Sequence, residues 1–231
     1  MFRSKILSWK LDTHRFVWVW DYIYHASKLS MPMALQYILF NGAQVISTMI
    51  VAPLGKIAIA SNSLAVTAES LCYMPGYGIG EAATTIVGRD LCKSFAFMSI
   101  AIGMLVMAFM GAIMFIFAPE MIGMLSPVSA IRELGAEVMR IEAFAEPFFA
   151  AGIVSYNVCI GAGDTLKPSL INLSSMWFVR LTLAFALASH YGLRGVWFAM
   201  AVELTFRGIM FLIRIVRGSW MNNISIQQAK I

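Results

Sequence analysis

Six ionisable side chains lie inside stretches otherwise apolar enough for a bilayer: Glu69, Glu142, Glu146, Arg180, Glu203 and Arg207. Charges at membrane depth are costly and mark functional sites by default. Glu203 and Arg207 are four residues apart with the acid first, the favourable order for a pair along one helix. Glu142 and Glu146 share that spacing and are expected on one face. If Arg207 is taken by Glu203, Arg180 can neutralise only one of the remaining three acids, and we expect it to pair with Glu203 or with an acid of the fourth span. A buried carboxylate with no cationic partner holds a proton or recruits a cation. That is the electrostatics of a proton- or sodium-driven carrier. The alternative is that the spare acids reach a water-filled vestibule and titrate there.

Two of these acids stand beside expected breaks in the backbone. Glu69 precedes Pro75, Gly76, Gly78 and Gly80, a cluster that predicts a helix break at membrane depth. Glu146 immediately precedes Pro147. Discontinuous helices of this kind build ion sites in secondary transporters. Glu69 and Glu146, with Glu142 beside them, are therefore the candidate coupling residues, and Arg180, Glu203 and Arg207 form the structural charge network. The competing reading is a plain kinked span whose Glu69 is satisfied by an arginine on a neighbouring helix. Glu81 and Arg140 sit nearer the interfaces and read as solvated.

The elements that must position these groups are membrane helices. Of 231 residues, 60% are hydrophobic and 13% charged, against about 45–50% and about 25% in a soluble domain. A helix needs about 20 apolar residues to cross the hydrocarbon. Six segments qualify: 29–53, 57–88, 94–117, 134–160, 166–189 and 195–217. Pro119 and Glu120 are expected to stop the third, and 119–133 reads as an interfacial hairpin. Residues 1–28, basic and rich in Trp and Tyr, read as an amphipathic segment on the membrane surface. Residues 29–217 form the six-span unit, and 218–231 a polar tail.

Six spans place both ends on one side. With the N-terminus inside, the inner segments carry Arg3, Lys5, Lys10, Arg15, Lys28, Arg89, Lys93, Lys167, Arg214, Arg217 and Lys230, and the outer ones only Lys56, Arg132, Arg140 and Arg194. The bias predicts cytoplasmic termini, in a bacterial inner membrane.

Other chemistries find little support. Cys72, Cys92 and Cys159 are widely spaced, which suits neither a disulfide framework nor a zinc site. The three histidines lie outside the apolar runs. Gly161-Ala162-Gly163-Asp164 resembles an intramembrane aspartyl protease motif but lacks the second aspartate, and Asp164 is expected to cap the fifth helix. Gly76-Tyr77-Gly78-Ile79-Gly80 follows no strand and has no Gly-Lys-Ser/Thr, so it is not a phosphate loop. No enzyme, metal site, cofactor or nucleic-acid partner is expected; the basic, aromatic segments flank membrane spans.

The chain from about Leu29 to Trp220 resembles the C-terminal lobe of the multidrug and toxic compound extrusion (MATE) family. The resemblance rests on Met31-Pro32, on Pro75 with the glycines after it and Ala82-Ala83-Thr84-Thr85-x-Val87-Gly88, and on Gly161-x-Gly163-Asp164-Thr165-x-x-Pro168. Arg180 and Gly192-x-x-Gly195-Val196-Trp197 complete it. It implies an all-α membrane protein whose six transmembrane helices form one lobe of a cation-coupled antiporter. The coupling ion would be H+ or Na+, and the exported substrates small, amphipathic and commonly cationic. Family members pair two six-helix lobes across a central cavity, so a second lobe or a second copy is the expected partner, beside the lipid bilayer. Two departures stand out. The turn after Val87-Gly88 is shortened to Arg89-Asp90-Leu91-Cys92-Lys93, and the positions around Leu39, Phe40 and Asn41 hold no acid, although some members bind a cation there. An inactive remnant or half of a split gene, and a flippase for lipid-linked sugars, are the rival readings.

Overall fold

A computed structural model describes residues 20–90 and 93–221. Among them every regular element is helical. The order is α1 (Trp20–Val51), α2 (Lys56–Asp90), α3 (Lys93–Leu125), α4 (Ser129–Ala143), α5 (Glu146–Gly161), α6 (Leu166–Ser174), a π-helical turn (Ser175–Arg180) and α7 (Leu181–Val216). Three stretches are long and apolar enough to cross a membrane, Ala26–Leu54, Lys93–Leu125 and Leu166–Val216, and the bent pair α4–α5 makes a fourth. Polar residues keep α2 out of that count, yet its 35 residues extend about 52 Å at 1.5 Å per residue.

The apolar stretch from Leu166 to Val216 contains two passes. At Gly192 the backbone takes φ 58° and ψ −139°, a conformation that favours glycine. The chain reverses there, because Ser175 reaches Glu203, 28 positions away, at 2.6 Å. A side chain at Gly195 would collide with the carbonyl of Leu187, which keeps the two arms in close contact. The six passes are therefore α1, α2, α3, the bent α4–α5, α6 with the first arm of α7, and the second arm of α7. This is the all-α, six-helix architecture expected from sequence.

Two local expectations about prolines are overturned, and a third is met. Pro75 and its glycines do not break the second pass, and α2 is one helix through all of them. Pro75 deprives only the Leu71 carbonyl of its helical donor. Gly76 instead admits Met107 of α3, and Gly80 admits Asn157 of α5. Small residues of this kind let membrane helices approach closely.

Nor does Pro119 end the third pass, since α3 continues to Leu125. The freed carbonyl is that of Phe115, and the Arg140 Nε donates to it at 3.2 Å. Arg140, expected to be solvated, thus repairs the helix. The hairpin predicted over 119–133 becomes the end of α3, a short link and the start of α4.

The break occurs at Pro147. Its ring cannot donate to the Ala143 carbonyl, which faces Gly111. Helix α4 ends at Ala143, α5 begins at Glu146, and the two meet at 59°. Proline sits in the first turn of α5, where no donor is needed.

Helix α5 is central, packed on α2, α3 and α7. A methyl at Gly208 would strike the Phe148 carbonyl, and one at Gly161 the Thr84 carbonyl. Thr84 also donates to the Asn157 side chain at 3.0 Å. Two apolar clusters fill the lobe, one around Trp197, Met114 and Met139, the other around Val154, Ile215 and Trp220. Trp220 is fully buried and its indole N–H donates to the Ile215 carbonyl. The start of the expected polar tail is thus packed, whereas 222–231 lies outside the described residues. Likewise residues 20–28 are the first turns of α1, and 1–19 lie outside. Of the shortened turn after Gly88, Arg89 and Asp90 end α2 and Lys93 opens α3, while residues 91 and 92 lie outside the described residues.

A candidate cation and substrate cavity

Helix α1 leans on α6 and α7 and barely touches α2. Between α1 and α2 opens a cavity of about 710 Å³, closed at the back by α4, α5, α6, the π-turn and α7. Its walls follow helical spacing. Gln36, Phe40, Gln44 and Ser47 line it from α1, and Asn62, Val66, Glu69, Tyr73 and Tyr77 from α2. Steps of three and four residues keep such a stripe on one face. Hydrogen bonds tie the walls together. Tyr156 of α5 donates to Gln36 of α1 at 3.0 Å, and Trp197 of α7 donates to Asn62 of α2 at 2.9 Å.

Among the candidate charges, Glu69, Glu142, Arg180 and Arg207 line this cavity, and Glu146 and Glu203 do not. Glu203 is fully buried and closed on one side. Its Oε1 accepts from Ser175 Oγ at 2.6 Å and faces Arg207 Nε at 3.3 Å. The Arg207 guanidinium also stacks over the Phe149 ring, 5.6 Å from its centroid. The i,i+4 pair read from the sequence is therefore present.

Glu69 and Glu142 are both buried. Each lies within electrostatic reach of the other and of Arg180. Neither Glu142 oxygen has a hydrogen-bond partner among the described residues. The expected pairing of Arg180 is not found: no described carboxylate comes within the 4.0 Å of an ion pair. Its Nη2 rests on the Met200 sulfur, and its Nε has no partner. Met200 lies one turn before Glu203, so Arg180 stops short of the acid already held by Ser175 and Arg207.

The break at Pro147 also separates Glu142 from Glu146, contrary to the expected shared face. Glu142 stays on α4 and faces the cavity. Glu146 opens α5, fully buried, with its Cβ and Cγ against the space beside Gly111 and both oxygens unpartnered. The helix-break candidates divide too, since none of Pro75, Gly76, Gly78 and Gly80 lines the cavity.

Asp164 has a different role from the expected cap. Helix α6 has Thr165 at its N-cap with no side-chain bond. The Asp164 carboxylate instead pairs with Arg214, across 50 positions, in a largely buried contact. Sequence reading also passed over the cavity polar groups Gln36, Gln44, Asn62, Tyr156 and Asn157. Their signal is the recurrence of uncharged polar residues at helical spacing within apolar spans.

Arranged this way, the cavity is lined by three carboxylates, the buried Glu69 and Glu142 and the exposed Glu81, and by one uncommitted guanidinium; Arg207 is offset by Glu203. It has room for a small organic molecule and a surplus of negative charge.

Several known proteins are similar to this chain. The MatE family model matches residues 32–186. The probable multidrug resistance protein NorM of Thermotoga maritima is 26% identical over 202 residues, covering 84% of this chain and 44% of that protein. The multidrug resistance protein MdtK of Yersinia pestis is 23% identical, covering 85% and 46%. In structure, the Vibrio cholerae MATE transporter VcmN in its bent form superposes with a TM-score of 0.82 at 12% identity, over 91% of this chain and 49% of that one. A MOP superfamily transporter from Pyrococcus furiosus, described as having a binding pocket of reversed polarity, gives 0.72 at 16% identity, over 81% and 43%. The chain spans about half the length of these relatives, as one six-helix lobe would. Its match to the family model covers most of the six passes, and the chain belongs to the MatE family.

Proposed function

We propose that this chain is one lobe of a transporter that exports small amphipathic cations by antiport against H+ or Na+, completed by a second six-helix lobe or a second copy. The observation that carries the reading is the cavity in which Glu69 and Glu142 face each other, with Arg180 within electrostatic reach of both and Glu146 a third acid nearby. The bound cation, whether coupling ion or substrate, would neutralise the surplus charge. Glu69 and Glu142 are the coupling pair in this reading. Glu146, buried away from the cavity at the bend, acts on geometry. Both termini lie in the cytoplasm of a bacterial inner membrane, on the strength of the basic residues of the inner segments.

The test is dye export by cells producing the chain together with a complementary lobe, measured per folded molecule. The chain alone is expected to export nothing, the pair to export a fluorescent cationic dye, and Glu69→Gln or Glu142→Gln to abolish export while protein still accumulates. Wild-type export by both Gln variants would overturn the coupling role. Reporter fusions at Arg89 and after Ile231 should read cytoplasm, and those at Ser126 and Tyr191 the outside.

Two arginines in the cavity favour a second reading, a flippase for phosphate-bearing lipid-linked sugars. Arg207 is committed to Glu203, however, which leaves one guanidinium against the three acids that line the cavity, Glu69, Glu81 and Glu142. Competition by an anionic lipid-linked sugar, with none by a cationic dye, would turn the assignment to it.

A further inference from the structure

The π-turn at Ser175–Arg180 is the least common backbone feature of the lobe. Such turns are rare and cluster at functional sites. Its ring is closed by the Leu181 amide donating to the Met176 carbonyl, five residues back. The wider turn stacks residues five apart, where an α-helix stacks those three or four apart. Here the two are Ser175 and Arg180, both buried. Ser175 is fixed by its hydrogen bond to Glu203. The π register then brings Arg180 to the same side, over Met200 and into the cavity. An α-helical turn anchored at Ser175 would rotate Arg180 away from it.

An arginine 8% exposed, with an unpartnered Nε and a thioether under its Nη2, is held by backbone geometry and not by an ion pair. Its charge stands beside two carboxylates it does not touch. Two bare carboxylates in a low-dielectric site would hold a cation very tightly, and a transporter must release what it binds. Resting on the cation-site reading above, we propose that the π-turn positions Arg180 as a tethered counter-cation to Glu69 and Glu142, weakening the pair enough for one monovalent cation to bind reversibly. Arg180 is thus a positioning residue that sets affinity, not a ligand and not half of a salt bridge.

The test is equilibrium binding to the purified full chain in detergent at alkaline pH, with radiolabelled sodium ion and tetraphenylphosphonium as separate probes. Tightening for sodium alone assigns the site to the coupling ion, and for tetraphenylphosphonium alone or both to the organic cation as well. Arg180→Gln is expected to bind at least one probe roughly tenfold or more tightly, the scale on which a nearby charge acts on a buried acid. Arg180→Lys should restore the wild-type affinity. Deleting Val179, which removes the extra residue of the π-turn and leaves the charge in the chain, should tighten binding as Arg180→Gln does.

Wild-type protein that binds neither probe would overturn the cation-site reading and this inference with it. Wild-type binding that Arg180→Gln leaves unchanged or weakens would overturn this inference alone. Arg180→Met, matched in bulk and compatible with Met200, is the second neutral variant. If neither neutral variant folds while Arg180→Lys does, Arg180 is structural and the inference fails. A folded Val179 deletion with unchanged affinity would overturn the role of the π-turn.

Discussion

The lobe contains two charge clusters built from the same side chains. Glu203 and Arg207 sit one turn apart on α7, with Ser175 as third partner. Glu69, Glu142 and Arg180 come from α2, α4 and the π-turn, and no ion pair joins them. The first cluster is closed because one helix fixes its spacing. The second is open because three elements hold its members around a cavity. A closed pair contributes to folding, since stranding either member leaves a buried charge unpaired. An open set leaves its acids available to a ligand. Depth and residue type are alike; connection through the backbone is what differs.

This comparison is broken most severely by Arg207→Ala. The change leaves Glu203 buried with Ser175 alone, and breaking a buried pair costs about 3–5 kcal/mol. Loss of most monodisperse protein on size-exclusion in detergent is the expected outcome. Normal recovery and melting temperature would show that the pair holds nothing together.

Asp164→Ala probes a third pair with the same logic. It removes the partner of Arg214, and a hydrogen bond to a charged group is worth about 1.5–3 kcal/mol. Because the bond links the loop after α5 to the end of α7, thermal unfolding should begin earlier. Asp164→Asn, which keeps an acceptor, should recover part of the loss.

Arg140→Ala should cost somewhat less, about 1–3 kcal/mol for one orphaned carbonyl. The carbonyl is that of Phe115, so the damage should be local. Hydrogen exchange should rise over 112–125 and stay unchanged at α5. Uniform exchange across α3 would mean that Pro119 needs no such repair.

The open cluster should show the smallest effect on stability. Glu69→Gln and Glu142→Gln keep shape and hydrogen bonding, and each should change unfolding free energy by less than about 1 kcal/mol, because no described ion pair is lost. Their melting temperatures in detergent should stay close to wild type. A loss as large as that of Arg207→Ala would place these acids in the structural network and erase the distinction between the clusters.

Much of this was legible in the sequence, and the limits have a physical cause. The passes follow from apolar length, because the bilayer imposes one requirement on every helix, with α2 the pass whose polar residues dilute the signal. The Glu203–Arg207 pair follows from a spacing of four on a single helix. The gap between the expected spans 166–189 and 195–217 contains Gly192, where the structure reverses. These are local properties, and a local reading recovers them.

The prolines show where such a reading stops. Pro75, Pro119 and Pro147 each remove one helical hydrogen bond, and nothing nearby in the sequence says which helix will bend. Helix α3 stays whole because Arg140, 25 residues beyond Phe115, supplies the missing donor. In α2 two of the glycines that looked like a break, Gly76 and Gly80, are packing surfaces for Met107 and Asn157. The fourth pass bends at Pro147, which moves Glu146 out of the cavity and leaves Glu142 in it. Asp164 and Arg214 meet across two helices, and Arg180 owes its direction to one extra residue in a turn. Sequence by itself determined that the acids and arginines inside the apolar runs are buried, since burial follows from the run around each residue; it did not foresee the burial of Asp164 or Trp220. Tertiary structure decided which of them have partners, because partners are supplied by other helices.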